Sequence, residues 1–118
     1  PGALIGELAP CADGPGVQWQ DGVVTLAARH GSWTLVDNLD EAEPCVSERL
    51  NAVAERPPML VLSEGGQTEQ VPIAPAFRLM ATCTVDAGQG QALKISPALA
   101  NRFTVVQLPN MSAAPAEE

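Results

Sequence analysis

The sequence predicts an α/β fold, a partial three-layer sheet with flanking helices and a β-hairpin inserted into it. Three observations predict it. Short apolar runs alternate with stretches of helical spacing, the run Trp33–Val36 ends abruptly at the acidic Asp37, and Met59–Leu62 and Val71–Ile73 bracket the turn-rich SEGGQTEQ. Alternating strands and helices, with a carboxylate at one strand end and a threonine (Thr82 or Thr84) at another, are the pattern of a covered parallel sheet. The site of such a sheet lies at its carboxyl edge.

Residues 1–18 carry Pro1, Pro10 and Pro15 among four glycines and are expected to be a loop leading in from a missing upstream segment. Residues 19–109 form the expected body of the domain. Residues 110–118, NMSAAPAEE, have nothing to bury and are an expected disordered tail. Within the body, DGVVTLAARH (21–30) has an acidic front, an apolar middle and basic Arg29 and His30 before Gly31, which predicts a short helix with start and stop signals of the right sign. Trp33–Val36 reads as a strand buried on both faces. Asp40, Glu41 and Glu43 then crowd the first turn of a second helix with Pro44 near its start, and Val46, Leu50 and Val53 repeat at helical spacing.

Arg56-Pro57-Pro58 stops that helix, and Gly65-Gly66 marks the tip of the hairpin. A third strand, Phe77–Thr82, follows Pro75. After a Gly-rich loop come a short helix opened by Ser96-Pro97 and a final strand at Thr104–Leu108. No internal repeat is visible.

At 118 residues the chain is one small domain or part of one. A formal charge of −8, with one lysine and five scattered arginines, provides no basic stripe, which argues against direct nucleic-acid binding. Cys11, Cys45 and Cys83 are odd in number and lack a C-x-x-C pair, so neither a disulfide framework nor a zinc site is suggested, and a reducing compartment fits best. Cys45 and Cys83 are expected to be buried and inert. The start has no charged n-region and no apolar h-region, and no apolar run approaches the roughly 18 residues of a membrane span. The chain therefore reads as soluble and intracellular, with no membrane partner. His30 has no acidic or thiol neighbour at catalytic spacing and is expected only to end its helix.

Five segments together carry a resemblance: WQDGVVTLAARHGSWTLVDN, SERLNAVAE, LVLSEGG, FRLMAT and ISPALANRFT. In this order they resemble an AAA+ ATPase module of the dynein-related type, a P-loop NTPase, over most of the chain. The resemblance implies that Asp37 is the Walker B aspartate, which holds Mg²⁺ through water. The next position normally carries a glutamate that polarises the attacking water, and here it is Asn38, whose amide cannot act as a general base. Thr84 occupies the sensor position, where the family usually has asparagine. Arg102 matches the arginine finger that reaches a neighbouring module's γ-phosphate. A purely structural alternative for Asp37-Asn38 is an Asx turn at a strand end, and read without the resemblance Arg102 is a surface arginine capping its helix.

The phosphate-binding loop is missing, since Lys94 lies between Leu93 and Ile95 rather than in a Gly-Lys-Ser/Thr step. In the family fold the strand feeding that loop lies between the strand ending at Thr82 and Thr104–Leu108, so the sheet is expected to lack that strand. The resemblance implies ATP and Mg²⁺ for an intact module, while the absent loop argues against binding by this fragment alone. It further implies neighbouring AAA+ modules of one ring as partners, pre-ribosomal particles as cargo, and a nuclear role in assembly of the large ribosomal subunit. Asn38, Thr84 and the missing loop predict a locally degenerate, hydrolytically inactive piece. Two alternatives stand beside that reading. An upstream segment could supply the loop to a module that binds ATP, or the chain is a small acidic α+β protein-interaction domain without nucleotide binding, whose hairpin at 59–73 adds a strand to a partner.

Overall fold

The computed structural model describes residues 2–64, 66–85 and 93–109. The expected tail 110–118 and most of the expected Gly-rich loop lie outside the described residues.

The opening segment departs from expectation first. Residues 1–18 are not simply a lead-in loop, because β1 (Gly6–Pro10) pairs antiparallel with β2 (Val17–Asp21), placing Leu8 opposite Trp19. The Cys11 N–H donates to the Gly16 carbonyl at 3.1 Å and closes this hairpin. Of the prolines and glycines that suggested a loop, Gly14, Pro15 and Gly16 belong to its turn, where such residues are equally at home.

The residues just before β1 complete α1 (Val23–His30). That helix has no side-chain cap, and its first N–H groups are taken up by extended chain instead. Gly22, Val23 and Val24 donate to the carbonyls of Ile5, Ala3 and Leu4 at 2.9, 3.1 and 2.9 Å, and the Thr25 hydroxyl donates to the Ile5 carbonyl at 2.6 Å. A Cβ on Gly22 would stand 2.4 Å from the Leu4 carbonyl carbon, so this close approach requires glycine. At the other end Gly31 is left-handed, with φ 76°, and Ser32 N–H donates to the Ala27 carbonyl at 3.0 Å, ending the helix where the sequence predicts. Asp21 does not front the helix. It ends β2, and its carboxylate accepts the Trp19 indole N–H and the Arg29 Nε–H, each at 2.7 Å.

β3 (Trp33–Val36) pairs in parallel with β6 (Arg78–Ala81), with Val36 opposite Ala81. Between them run a 3-10 turn (Leu39–Glu41), α2 (Pro44–Val53) and an antiparallel hairpin of β4 (Val61–Leu62) with β5 (Glu69–Gln70). Asp40 and Glu41 thus sit in the 3-10 turn rather than in the first turn of α2, whose N-cap is Glu43. The hairpin forms as expected but with a shorter ladder, and the buried Val71 continues it through an N–H bond to the Leu60 carbonyl at 2.8 Å. Arg29 also donates to Glu69 at 2.7 Å, so one guanidinium ties β2, α1 and β5 together.

The core is aliphatic. Val46, Leu50 and Val53 on one face of α2 meet Val24 and Ala28 of α1, Val36, Leu60 and Leu99. Leu99 lies on α3 (Pro97–Ala100), which is capped by Ser96 as the sequence suggests. Two expectations fail here. Trp33–Val36 is not buried on both faces, because Thr34 and Val36 are buried while Trp33 and Leu35 are 72% and 59% exposed. Thr104–Leu108 is not a strand, and Val105, Val106 and Leu108 are 57%, 76% and 83% exposed. β3 has its ladder in β6 and buries only one face, whereas Thr104–Leu108 has no ladder partner among the described residues, and a β-prone run becomes a strand only with one beside it. In place of one three-layer sheet the described residues form three two-stranded sheets, of which β3–β6 is the parallel one. No helix of the described residues is long and apolar enough to cross a membrane.

Candidate functional site at the carboxyl edge of the parallel pair

The carboxyl ends of β3 and β6 bring three polar residues together. The Thr82 hydroxyl donates to Asp37 Oδ1 at 2.5 Å and accepts the Asn38 N–H at 3.0 Å. Main-chain bonds frame this contact: Thr82 N–H donates to the Val36 carbonyl at 3.0 Å, and Leu39 N–H donates to the Thr82 carbonyl at 2.9 Å. Asn38 is left-handed, with φ 54°, a region that asparagine tolerates better than most residues. The Asx-turn reading of Asp37-Asn38 therefore gives way to a bond between the two strand exits, since Asp37 takes its hydroxyl donor from a residue 45 positions away.

Thr84 does not stand at Asp37. It is exposed, and its main-chain N–H donates to Asp40 Oδ1 at 3.4 Å. Of the two strand-end threonines it is Thr82 that meets the aspartate, one residue beyond β6. Cys83, between them, is half-buried. Burial, reinforced by the nearby Asp40 carboxylate, pushes its thiol pKa up. Cys45, expected to be buried, is exposed beside Glu43, because it occupies the solvent side of the first turn of α2 while Val46 takes the core side. His30 is the exposed last residue of α1, as expected.

Arg102 lies at a different place, the corner between α2 and α3. Its Nη1 donates to the Ala98 carbonyl at 2.9 Å, which caps α3, and its Nη2 donates to Glu55 Oε1 at 2.5 Å. The Nε is buried without a partner. A groove of about 370 Å³ opens here, lined by Glu55, Arg56, Asn101, Arg102 and Thr104 among others, and none of its lining residues belongs to the Asp37 edge. The structure thus joins Asp37 and Asn38, sets Thr84 beside them at Asp40, and keeps Arg102 apart. Thr82 was legible only as one of two strand-end threonines. Glu55 carried no signal, since nothing in its spacing links it to a residue 47 positions later.

Asp37 is exposed and has a second carboxylate oxygen, chemically able to hold one water of a hydrated cation. Two further features decide the fit of a magnesium–triphosphate group. Among the described residues no group of three or more His, Cys, Asp or Glu side chains is placed to hold a metal, and the sequence has no Gly-Lys-Ser/Thr step to wrap phosphates. The residues present do not fit that group on their own.

Comparison with known proteins adds the relatives. Residues 4–103 match the family described as AAA domain (dynein-related subfamily). The chain is 37% identical over 97 residues to midasin of Dictyostelium discoideum, and 32% identical over 95 residues to midasin of Giardia intestinalis. Each alignment covers 80% of this chain and 2% of the relative, so the chain spans a small fraction of the length of the relatives it matches.

Proposed function

The chain belongs to the dynein-related AAA domain family, and from that membership we propose that it is a piece of a midasin-like AAA module whose own role is structural and trans-acting rather than hydrolytic. The observation that carries this reading is the use made of Asp37: its Oδ1 is bonded by Thr82, and the neighbouring Asn38 supplies no carboxylate. In this role the Walker B position acts as a clip holding the two parallel strands in register, and Asn38 is too weak a base to activate water. Thr84, at the sensor position, contributes its main chain to the Asp40 turn. Arg102 serves an adjacent module, bringing a positive charge to phosphate across the interface between them.

The exposed, unpaired Thr104–Leu108 segment supports the incomplete-sheet part of this reading, because an apolar run left without a ladder is what a missing neighbouring strand produces. The direct partners are then neighbouring modules of the same ring. By the same resemblance the parent protein works on pre-ribosomal particles in assembly of the large ribosomal subunit in the nucleus. ATP and Mg²⁺ belong to the intact module, and this chain alone binds neither appreciably.

The test is ATP turnover by the chain with Mg²⁺, measured beside the Asp37→Ala variant. Both are expected to remain at background. Turnover that Asp37→Ala abolishes overturns the inert-piece reading.

A further inference from the structure

The pairing of Arg102 with Glu55 has no part in holding the two parallel strands, and it engages the one residue whose proposed work lies outside the chain. We infer that Glu55 is a latch on Arg102: it stores the guanidinium in an intramolecular ion pair, and an anionic phosphate group must displace it to engage the arginine. This inference rests on the proposed trans-acting role of Arg102.

The geometry is specific. The guanidinium is held at two points, by the Ala98 carbonyl at Nη1 and by the Glu55 carboxylate at Nη2, while its Nε is buried without a partner. Glu55 itself follows the end of α2, whose last helical residue is Val53, so it approaches Arg102 from a separate element. The bond to Ala98 comes from within Arg102's own helical corner and does not involve Glu55. The carboxylate, by contrast, cancels the charge that a phosphate would seek, and it stands where a second anion would have to approach.

Electrostatics make the latch releasable. Both partners are partly exposed, at 28% for Arg102 and 44% for Glu55, and an ion pair so placed is weak, worth about a fivefold factor at most. A group carrying several negative charges outcompetes a single carboxylate at such a site. Arg56 and Asn101, on the same groove, add a second cation and an amide donor for the incoming anion.

The experiment titrates the whole chain with inorganic tripolyphosphate and follows binding by the backbone amide resonances of the groove residues Glu55, Arg56, Asn101 and Thr104, which all four proteins keep, by NMR. It compares wild type, Glu55→Gln, Arg102→Gln and the double variant. Removing one opposing charge predicts that Glu55→Gln binds roughly two- to fivefold tighter than wild type. Arg102→Gln should abolish the gain in the Glu55→Gln background. Equal or weaker binding by Glu55→Gln, with Arg102→Gln still lowering affinity, overturns the latch and leaves the trans-acting arginine standing. A gain that persists in the double variant also overturns the latch, as it would reflect net charge alone. No response to Arg102→Gln in either background overturns both. If Glu55→Gln fails to fold by circular dichroism, Glu55→Asp serves in its place. Its carboxylate is one methylene shorter, and a smaller gain in the same direction is expected.

Discussion

Thr82 binds Asp37 and Asn38 at once, its hydroxyl donating to the Asp37 carboxylate at 2.5 Å while accepting the Asn38 N–H at 3.0 Å. This one oxygen joins the exits of two parallel strands that are 45 residues apart in the chain. It also stabilises the left-handed turn by which the chain leaves β3, because Asn38 at φ 54° directs its N–H toward that oxygen.

Thr82→Val keeps the shape and removes the oxygen, leaving the Asp37 carboxylate and the Asn38 N–H to water. The expected cost is about 1 kcal/mol, since the site is exposed and water recovers part of each bond. Thr82→Ser should recover most of it. Urea unfolding midpoints of the three proteins decide the matter, and an unchanged midpoint in Thr82→Val would show that the clip is idle.

Acid should weaken the tie that Arg29 makes to the β4–β5 hairpin. The Arg29 hydrogen bond holds the Glu69 carboxyl below the ordinary glutamate value of 4.5. A carboxyl whose folded pKa is lowered contributes stability above its unfolded pKa and loses it as pH falls through the folded value. The loss therefore begins below about pH 4.5. Glu64 behaves alike: burial alone would raise its pKa, but the Ser63 N–H and Arg49 outweigh burial and leave it lowered. The stability difference between wild type and Glu69→Gln should shrink as pH is lowered from 7 to 3 in urea titrations. A difference that stays constant would remove Arg29 from the account.

Leu50 is fully buried, at 0% exposure, where α2 meets the rest of the core. Truncation to alanine leaves a cavity that the neighbouring valines cannot fill, at an expected cost of about 2–5 kcal/mol. That is a large share of the stability of a small domain, roughly 5–15 kcal/mol. Thermal and urea unfolding of Leu50→Ala should show a collapse of the transition midpoint, whereas Ser47→Ala, on a more exposed part of α2, should leave it nearly unchanged.

The cysteines should separate by reactivity. Cys45 is exposed, whereas Cys83 is half-buried with its thiol pKa raised by burial and by Asp40. Because the thiolate is the reactive form, maleimide or iodoacetamide at pH 8 should label Cys45 well before Cys83, and peptide mass mapping of a time course reads the order. Faster labelling of Cys83 would contradict its packing.

Helices were the most legible part of the fold. The spacing Val46–Leu50–Val53 and the Gly31 stop are local signals, and α1 and α2 lie where those signals put them. The hairpin was legible too, because its turn chemistry is local. The first hairpin was missed because proline and glycine describe a tight turn and an irregular loop equally well. At the site, Asp37 and Asn38 were visible as the end of an apolar run. Choosing Thr82 over Thr84 was not possible from sequence, because the two differ only in which one the register of β3 on β6 brings level with Asp37.

By itself the sequence determined the presence and stops of α1 and α2, the aliphatic core face of α2, the hairpin after it and membership of a family whose phosphate loop is absent here. Each of these depends on residues near one another in the chain, or on the whole pattern of residue types. Tertiary structure alone decided that Asp37 is bonded to Thr82, that Arg102 is paired with Glu55, and that Thr104–Leu108 stays out of a ladder. Those outcomes depend on what stands alongside in space. A carboxylate takes the donor that folding brings to it, and a β-prone run with no neighbouring strand keeps its backbone bonds to water.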